Sequence, residues 1–116
     1  MSVRACHLLI KSTSSRNPVS RRTGGQVLTT PEEAVAELKT YQEKLTSNGK
    51  PRIEGFMEEA GKRSDCSSFR NGGDLGEFER GEMQKPFEDA TFGLEVGEMS
   101  GIVETDSGFH LIFRTA

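Results

Sequence analysis

The sequence predicts an α+β domain in which helices cover an antiparallel sheet, and three observations carry that prediction. The chain opens with an apolar segment of strand-like composition, Val3–Ile10. Amphipathic segments with a helical period follow from Thr30 onward. Two short apolar segments then flank a turn at 106–108, which is typical of a hairpin. Strands at both ends of the chain, with helices between them, favour a single layered domain.

Alternation along the first strand places His7 on the face of the sheet opposite Cys6. The neighbours of His7 on its own face are apolar, which is more typical of a hydrogen-bonded core histidine than of a catalyst. In the last predicted strand, 109–114, the same alternation puts His110 on the face of Ile112. Each of these two predicted strands therefore carries one histidine.

The first helix has a strong start signal. Thr30 is the expected N-cap, Pro31 takes the first helical position, and Glu33 follows three residues after the cap. Asn48 and Gly49 are expected to end the helix. We assign no chemistry to it.

The remaining elements are predicted from shorter signals. Residues 53–63 form a weaker helix and residues 75–78 a short strand. Pro86 starts a further helix, which Gly97 is expected to end, and residues 100–105 pair with the last strand.

Composition limits the chain to one compact domain over residues 1–116. Only 33% of the residues are apolar and there is no tryptophan, so one core is the limit. No apolar run could cross a bilayer and the N-terminus lacks a signal-peptide pattern, so we expect a cytoplasmic protein whose small size allows entry to the nucleus. In that setting the two cysteines are expected as free thiols. No helix shows a spare apolar face, which predicts a monomer.

Charge is distributed unevenly along the chain. The first thirty-one residues carry five basic and no acidic side chains, and all eighteen acidic residues lie from Glu32 onward. The net charge of −3 argues against nucleic acid as a partner. The basic loop, Lys11–Thr30, suits a single anionic group. A solvated loop that neutralises the acidic body explains the same pattern equally well.

The segment Ser64–Phe92 concentrates residues suited to a functional site. Cys66 has polar neighbours, unlike a cysteine kept only for packing. Glycines near it allow sharp turns, and Leu75, Met83 and Phe87 supply apolar surface. We therefore expect Cys66 to lie opposite an apolar wall.

These residues suit three kinds of chemistry to different degrees. A metal site is disfavoured because Cys6 and His7 face opposite ways and no Cys-x-x-Cys spacing occurs, so we expect neither metal nor cofactor. A Cys-His nucleophile stays open, since His7 or His110 would lower the pKa of Cys66. A ligand that is anionic on one side and apolar on the other, such as a phosphoserine-proline dipeptide, would use all the parts together.

Five segments, taken in order, then form a recognisable set. They are HLLIK at 7–11, SDCSS at 64–68, GGDLGEF at 72–78, GEMQKPFEDATF at 81–92 and TDSGFHLI at 105–112. Together they resemble the parvulin family of peptidyl-prolyl cis/trans isomerases, in particular its eukaryotic subclass directed to phosphorylated Ser/Thr-Pro bonds. The resemblance covers essentially the whole chain. It implies an FKBP-like fold, with a four-stranded antiparallel sheet and about four helices, and one catalytic domain without a WW module.

The resemblance also implies roles for individual residues. The catalytic centre would comprise His7, Cys66 and His110, supported by Thr105 and Ser107. The proline ring would be held by Leu75, Met83 and Phe87, with the amide of Gln84 beside them. The phosphate would be bound by Lys11, Arg16, Arg21 and Arg22. The family has a second arginine where this chain has Asn17, and Arg21 and Arg22 would take over its task.

The implied reaction needs little covalent chemistry. Rotation about an X-Pro bond is opposed by a barrier of ~18–20 kcal/mol because amide resonance is lost at the twisted state. An enzyme lowers it by binding that twisted state better than either planar isomer, so we expect no covalent adduct with Cys66. The expected partners are phosphorylated Ser/Thr-Pro proteins. The alternatives are a parvulin without phosphate preference and a phosphopeptide-binding module with little turnover.

Overall fold

A four-stranded antiparallel sheet forms the frame of the molecule. The structure is a computed structural model that describes all 116 residues. Its strands are β1 (Ser2–Ile10), β2 (Asp74–Glu79), β3 (Val103–Thr105) and β4 (Gly108–Arg114). They lie in the order β2-β1-β4-β3, so the two most apolar strands, β1 and β4, are central. The predicted fold class is confirmed.

Three α-helices and one short 3-10 helix accompany the sheet. The α-helices are α1 (Pro31–Thr46), α2 (Ile53–Arg63) and α3 (Lys85–Phe92), and the 3-10 turn is Ser67–Asn71. The start of α1 follows the predicted capping box. Thr30 Oγ1 accepts from the N–H of Glu33 at 3.1 Å, and Glu33 Oε1 accepts from the N–H of Thr30 at 2.9 Å. None of the helices is both long and apolar enough to cross a membrane.

Two predicted boundaries were wrong. Helix α3 ends at Phe92 rather than near Gly97, because Gly93 caps it and the N–H of Leu94 turns back to the carbonyl of Thr91. Strand β3 begins at Val103 rather than at residue 100. Ser100 follows β4 through bonds of its N–H and Oγ to the backbone of Ile112 instead of a regular ladder.

The sheet separates two apolar clusters. On one face, Cys6, Leu8 and Ile10 of β1 pack with α1 and α2. On the other face, Val3 and Ala5 pack with a second cluster, which contains Phe78, Phe87 and Ile112. The predicted alternation is confirmed. His7 and His110 therefore lie on the face that α3 covers, away from α1 and α2.

Candidate active site

Two stacked imidazoles form the centre of the α3 face. His7 of β1 and His110 of β4 lie diagonally across the two central strands, since His7 pairs with Ile112 and Leu9 with His110. Their ring centroids are 5.2 Å apart with an interplanar angle of 22°, and the two Nδ1 atoms are 3.0 Å apart. One Nδ1 must donate and the other accept, so the pair holds one proton at this contact. Both residues are buried.

Further polar groups extend this pair toward the surface. Thr105 Oγ1 lies 2.7 Å from His110 Nε2 and accepts from the N–H of Ser107 at 3.1 Å. Ser107 Oγ accepts from the amide of Gln84 at 2.8 Å, and the Gln84 carbonyl oxygen accepts from the N–H of Asp106 at 2.9 Å. The β3–β4 turn is thus tied to Gln84, the residue that precedes α3.

Cys66 lies half-buried against the other end of the pair. Its pKa is lowered to about 6. Burial is the largest influence and raises the pKa, but interaction with the His7 ring and with the hydroxyl and N–H of Ser68 outweighs it. The second thiol differs, because burial and then Asp74 raise the pKa of Cys6 to about 11. The lowered pKa favours the thiolate form of Cys66.

His110 keeps a neutral ring. Burial lowers its pKa well below the ordinary value, and a positive charge on His7 lowers it further. This side chain can therefore orient His7 through the Nδ1 contact without adding charge to the site.

The predicted apolar wall is assembled beside the histidines. The ring of Phe87 meets His7 and His110 edge-on, at centroid distances of 5.4 and 5.1 Å. Leu75 and Met83 pack against the same cluster and remain partly exposed. The three residues thus come together from β2, the following loop and α3.

The four cations of the basic loop are not equivalent. Lys11 is only 6% exposed, and its Nζ donates to the carbonyls of Asn17 and Val19 at 2.9 and 2.8 Å. An ammonium has three N–H groups, so one is left for a ligand. Burial lowers the pKa of Lys11, and the nearby charge of Arg21 lowers it further.

The arginines of the loop divide into two kinds. Arg16 and Arg21 are exposed. Arg22 instead turns inward, with Nη2 4.0 Å from the carboxylate of Asp65 and a buried Nε that has no partner. The loop therefore presents two free guanidinium groups and one N–H of Lys11.

Sequence reasoning missed the contacts that hold this loop. Asp65 is 2% exposed and bonds to residues of the loop and of α2, although it stands directly before Cys66 in the sequence. An acid next to the central cysteine was the available signal. Nothing in the sequence alone shows which groups it meets.

A cavity of about 690 Å³ lies elsewhere, between α1 and α2. Leu45 is its one apolar lining residue, and Lys44, Arg52 and Glu59 are among the others. A largely charged lining does not suit a proline ring.

Known proteins share both the sequence and the fold of this chain. The family model described as Rotamase, the PPIC-type PPIase domain, matches residues 7–116. The "Peptidyl-prolyl cis-trans isomerase NIMA-interacting 1" of Theileria annulata is 56% identical over 114 residues, which span 98% of this chain and 80% of that protein. "Peptidyl-prolyl cis-trans isomerase Pin1" of Malus domestica is 52% identical over 116 residues, spanning 97% and 93%. The solved structure of the isomerase ESS1 from Candida albicans superposes with a TM-score of 0.90 at 44% identity, covering 99% of this chain and 63% of that one.

Fold, site geometry and relatives together define a peptidyl-prolyl cis-trans isomerase of the rotamase class. The chain belongs to the PPIC-type parvulin family.

Proposed function

We propose that this isomerase acts on phosphoSer-Pro and phosphoThr-Pro bonds. The observation that carries the proposal is the position of the basic loop. The N–H of Lys11 donates to the carboxylate of Asp65 at 2.9 Å, and Asp65 directly precedes Cys66, so the basic loop begins beside the segment of the central thiol. The exposed Arg16 and Arg21 extend that positive surface. In a substrate with a dianionic phosphate next to a proline ring, the phosphate would bind the cations of the loop and the ring would pack against the apolar wall.

In this proposal the substrate is held at two points. The proline ring lies against Leu75, Met83 and Phe87, and the phosphate lies on the basic loop. The peptide bond between them then passes over Cys66 and the histidine pair. Two fixed ends leave the X-Pro bond as the axis of rotation, so binding energy favours the twisted state over either planar isomer.

Two further groups act on the amide itself. The planar amide carries the larger dipole, so removal of water by the apolar wall disfavours it relative to the twisted state. The thiolate of Cys66 sets the local field near the carbonyl, with His7 and His110 holding it in place. Gln84, tied to Ser107, offers its amide to the peptide backbone next to the ring.

The direct test measures cis/trans exchange by NMR on three peptides that differ only in Ser-Pro, phosphoSer-Pro and Glu-Pro. We expect fast exchange on the phosphorylated peptide, weaker exchange on Glu-Pro and the slowest on Ser-Pro. Equal rates on all three would leave the isomerase and reject the phosphate preference. Chemical-shift changes without exchange would indicate a binding module with little turnover.

Substitutions in the loop sharpen this test. A charge-assisted hydrogen bond contributes about 1.5–3 kcal/mol, so Arg16→Ala should raise KM for the phosphorylated peptide about ten- to hundredfold. Lys11→Ala should also weaken the binding of the phosphorylated peptide and leave the binding of the plain peptide unchanged. The matched control is Arg52→Ala, because Arg52 is an exposed arginine at the start of α2. This substitution should leave KM unchanged for both peptides. Equal losses on the phosphorylated and plain peptides would contradict the proposal.

A further inference from the structure

A buried carboxylate joins the central cysteine segment to the basic loop. Asp65, directly before Cys66, is 2% exposed. Its Oδ1 accepts from the hydroxyl of Ser20 at 2.7 Å and from Nη1 of Arg63 at 3.0 Å. Its Oδ2 accepts from the N–H of Lys11 at 2.9 Å. One side chain thus contacts the start and the middle of the basic loop and the end of α2.

The backbone of Asp65 makes two more hydrogen bonds, one to the basic loop and one to β1. The carbonyl of Asp65 accepts from the N–H of Arg21 at 2.8 Å, and its own N–H donates to the carbonyl of Leu9 at 2.8 Å. Ser64 Oγ accepts from the N–H of Leu9 at 3.0 Å. The segment before Cys66 is therefore bonded directly to the backbone of an exposed arginine of the loop.

The charge of Asp65 is balanced mainly by Arg63 of α2 at 3.0 Å, with Arg22 of the basic loop farther away at 4.0 Å. Arg63 is also paired with Glu37 of α1. A buried carboxylate is costly unless its oxygens are hydrogen-bonded, so Arg63 and the N–H of Lys11 fix where this one lies. Ser20 then attaches the loop to a group that cannot easily move.

We propose that Asp65 is a positioning residue that sets phosphate selectivity by holding the basic loop in register with Cys66. It acts through Ser20 and Arg21 and does not itself touch the substrate. The inference rests on the proposed function, because it assumes that the loop binds the phosphate. When the loop is detached, the binding-competent arrangement becomes a fraction of the population, and apparent affinity falls by that fraction.

Ser20→Ala is the most specific test. It removes the hydroxyl that joins the loop to Asp65, together with the longer bonds that this hydroxyl accepts from the N–H groups of Arg22 and Thr23. The bonds of Asp65 to Arg63 and to the N–H of Lys11 remain. We expect KM for a phosphoSer-Pro peptide to rise about tenfold, with kcat nearly unchanged and with kcat/KM on the plain Ser-Pro peptide unchanged. A merely structural role would instead lower activity on both peptides alike.

Two measurements accompany it. Hydrogen exchange at the N–H of Arg21, which donates to the carbonyl of Asp65, should become faster in Ser20→Ala. Ser100→Ala is the matched control, because Ser100 is another buried serine and bonds to Ile112, away from the loop. It should leave both Arg21 exchange and the ratio of the two KM values unchanged.

Asp65→Asn gives an independent variant. The side chain of asparagine has one oxygen, whereas Asp65 accepts from the N–H of Lys11 with one oxygen and from Arg63 with the other. When the amide oxygen faces Lys11, the NH₂ group faces Arg63, and two donors cannot bond, so the bond to Arg63 is lost. We expect it to raise KM for the phosphorylated peptide more than Ser20→Ala does. Urea unfolding separates a partly unfolded sample from a change in the loop, and Ser20→Ala keeps the proposal testable if Asp65→Asn does not fold.

The outcomes separate the two proposals. Wild-type enzyme without preference for the phosphorylated peptide overturns the proposed function and, with it, the selectivity assigned to Asp65. Faster Arg21 exchange in Ser20→Ala would even then support the role of Asp65 in holding the loop. A preference in the wild type with unchanged KM and unchanged Arg21 exchange in Ser20→Ala overturns the positioning role alone.

Discussion

His7 and His110 share a hydrogen-bonding contact through their Nδ1 atoms, 3.0 Å apart, between stacked and buried rings. One proton lies between them, so the state of one ring fixes which atom the other must present. Thr105 binds the far nitrogen of His110, and Cys66 lies against His7. The protonation state of the whole centre is therefore set by a few buried contacts.

His110 should stay neutral where an ordinary imidazole titrates. Burial first, and the charge of His7 second, lower its pKa well below 6.5. The unfolded chain binds this proton near pH 6.5 and the folded protein does not, so the free energy of unfolding should fall as pH drops below that value. NMR titration of the ring protons measures this pKa directly. A midpoint at or above 6.5 for His110 would contradict the prediction.

Cys66 should react as a thiolate at neutral pH. Its rate of alkylation by iodoacetamide should rise with a midpoint near pH 6, while Cys6, buried and with a pKa of about 11, stays unreactive in the same range. His7→Leu should shift the midpoint upward, because the ring of His7 stabilises the thiolate. A wild-type midpoint close to 9.0, the ordinary thiol value, would disprove the prediction.

Gly73 should not tolerate a side chain. Its φ is +85°, and a Cβ there would lie 2.2 Å from the carbonyl oxygen of His7. We expect Gly73→Ala to lower the free energy of unfolding by about 3 kcal/mol or more and to reduce activity by displacing His7. Gly76→Ala is the matched control, since its φ is +73° but no atom lies within 4 Å of the new Cβ.

That control should lose only the backbone term, about 1 kcal/mol. Urea unfolding of the two variants, followed by exchange assays on the folded protein, measures both effects. Equal losses of stability in the two variants would mean that the clash with the carbonyl of His7 is not the reason why position 73 requires glycine.

Thr105→Val should separate support of the histidine pair from general stability. The substitution preserves shape and removes the hydroxyl that bonds to His110 Nε2 and accepts from the N–H of Ser107, so the free energy of unfolding should fall by about 1–3 kcal/mol. The rate of cis/trans exchange should fall severalfold, because no hydrogen bond from Thr105 then orients the ring of His110. Thr91→Val, which removes a buried hydroxyl bonded to the carbonyl of Phe87, should lose similar stability with a smaller change in rate. Equal rates in the two variants would argue against a role for Thr105.

Local signals were sufficient for much of the fold. The capping box at Thr30 consists of interactions within a few residues, and its prediction was confirmed. The predicted bounds of α2 at Ile53 and Arg63 were confirmed as well. The ends of α3 and β3 were misplaced because tertiary contacts, such as those of Ser100 with β4, decide where a weak element stops.

The sequence by itself determined the composition of the candidate site. A period of two puts His7 opposite Cys6 in β1 and His110 on the side of Ile112 in β4, because pleating alone dictates that alternation within a strand. The pairing of His7 with Ile112 then brings the two histidines to one face. The glycines and the apolar residues after Cys66 likewise predicted a functional site in the segment Ser64–Phe92.

Only the tertiary structure decided how the parts are held. Lys11 is directed into the carbonyls of its own loop, Arg22 turns toward Asp65, and Asp65 bonds to Ser20. These directions depend on which donors and acceptors lose contact with water when distant segments meet, because most buried polar groups then bond to one another. Composition lists those groups, but it does not say which of them are brought within hydrogen-bonding distance.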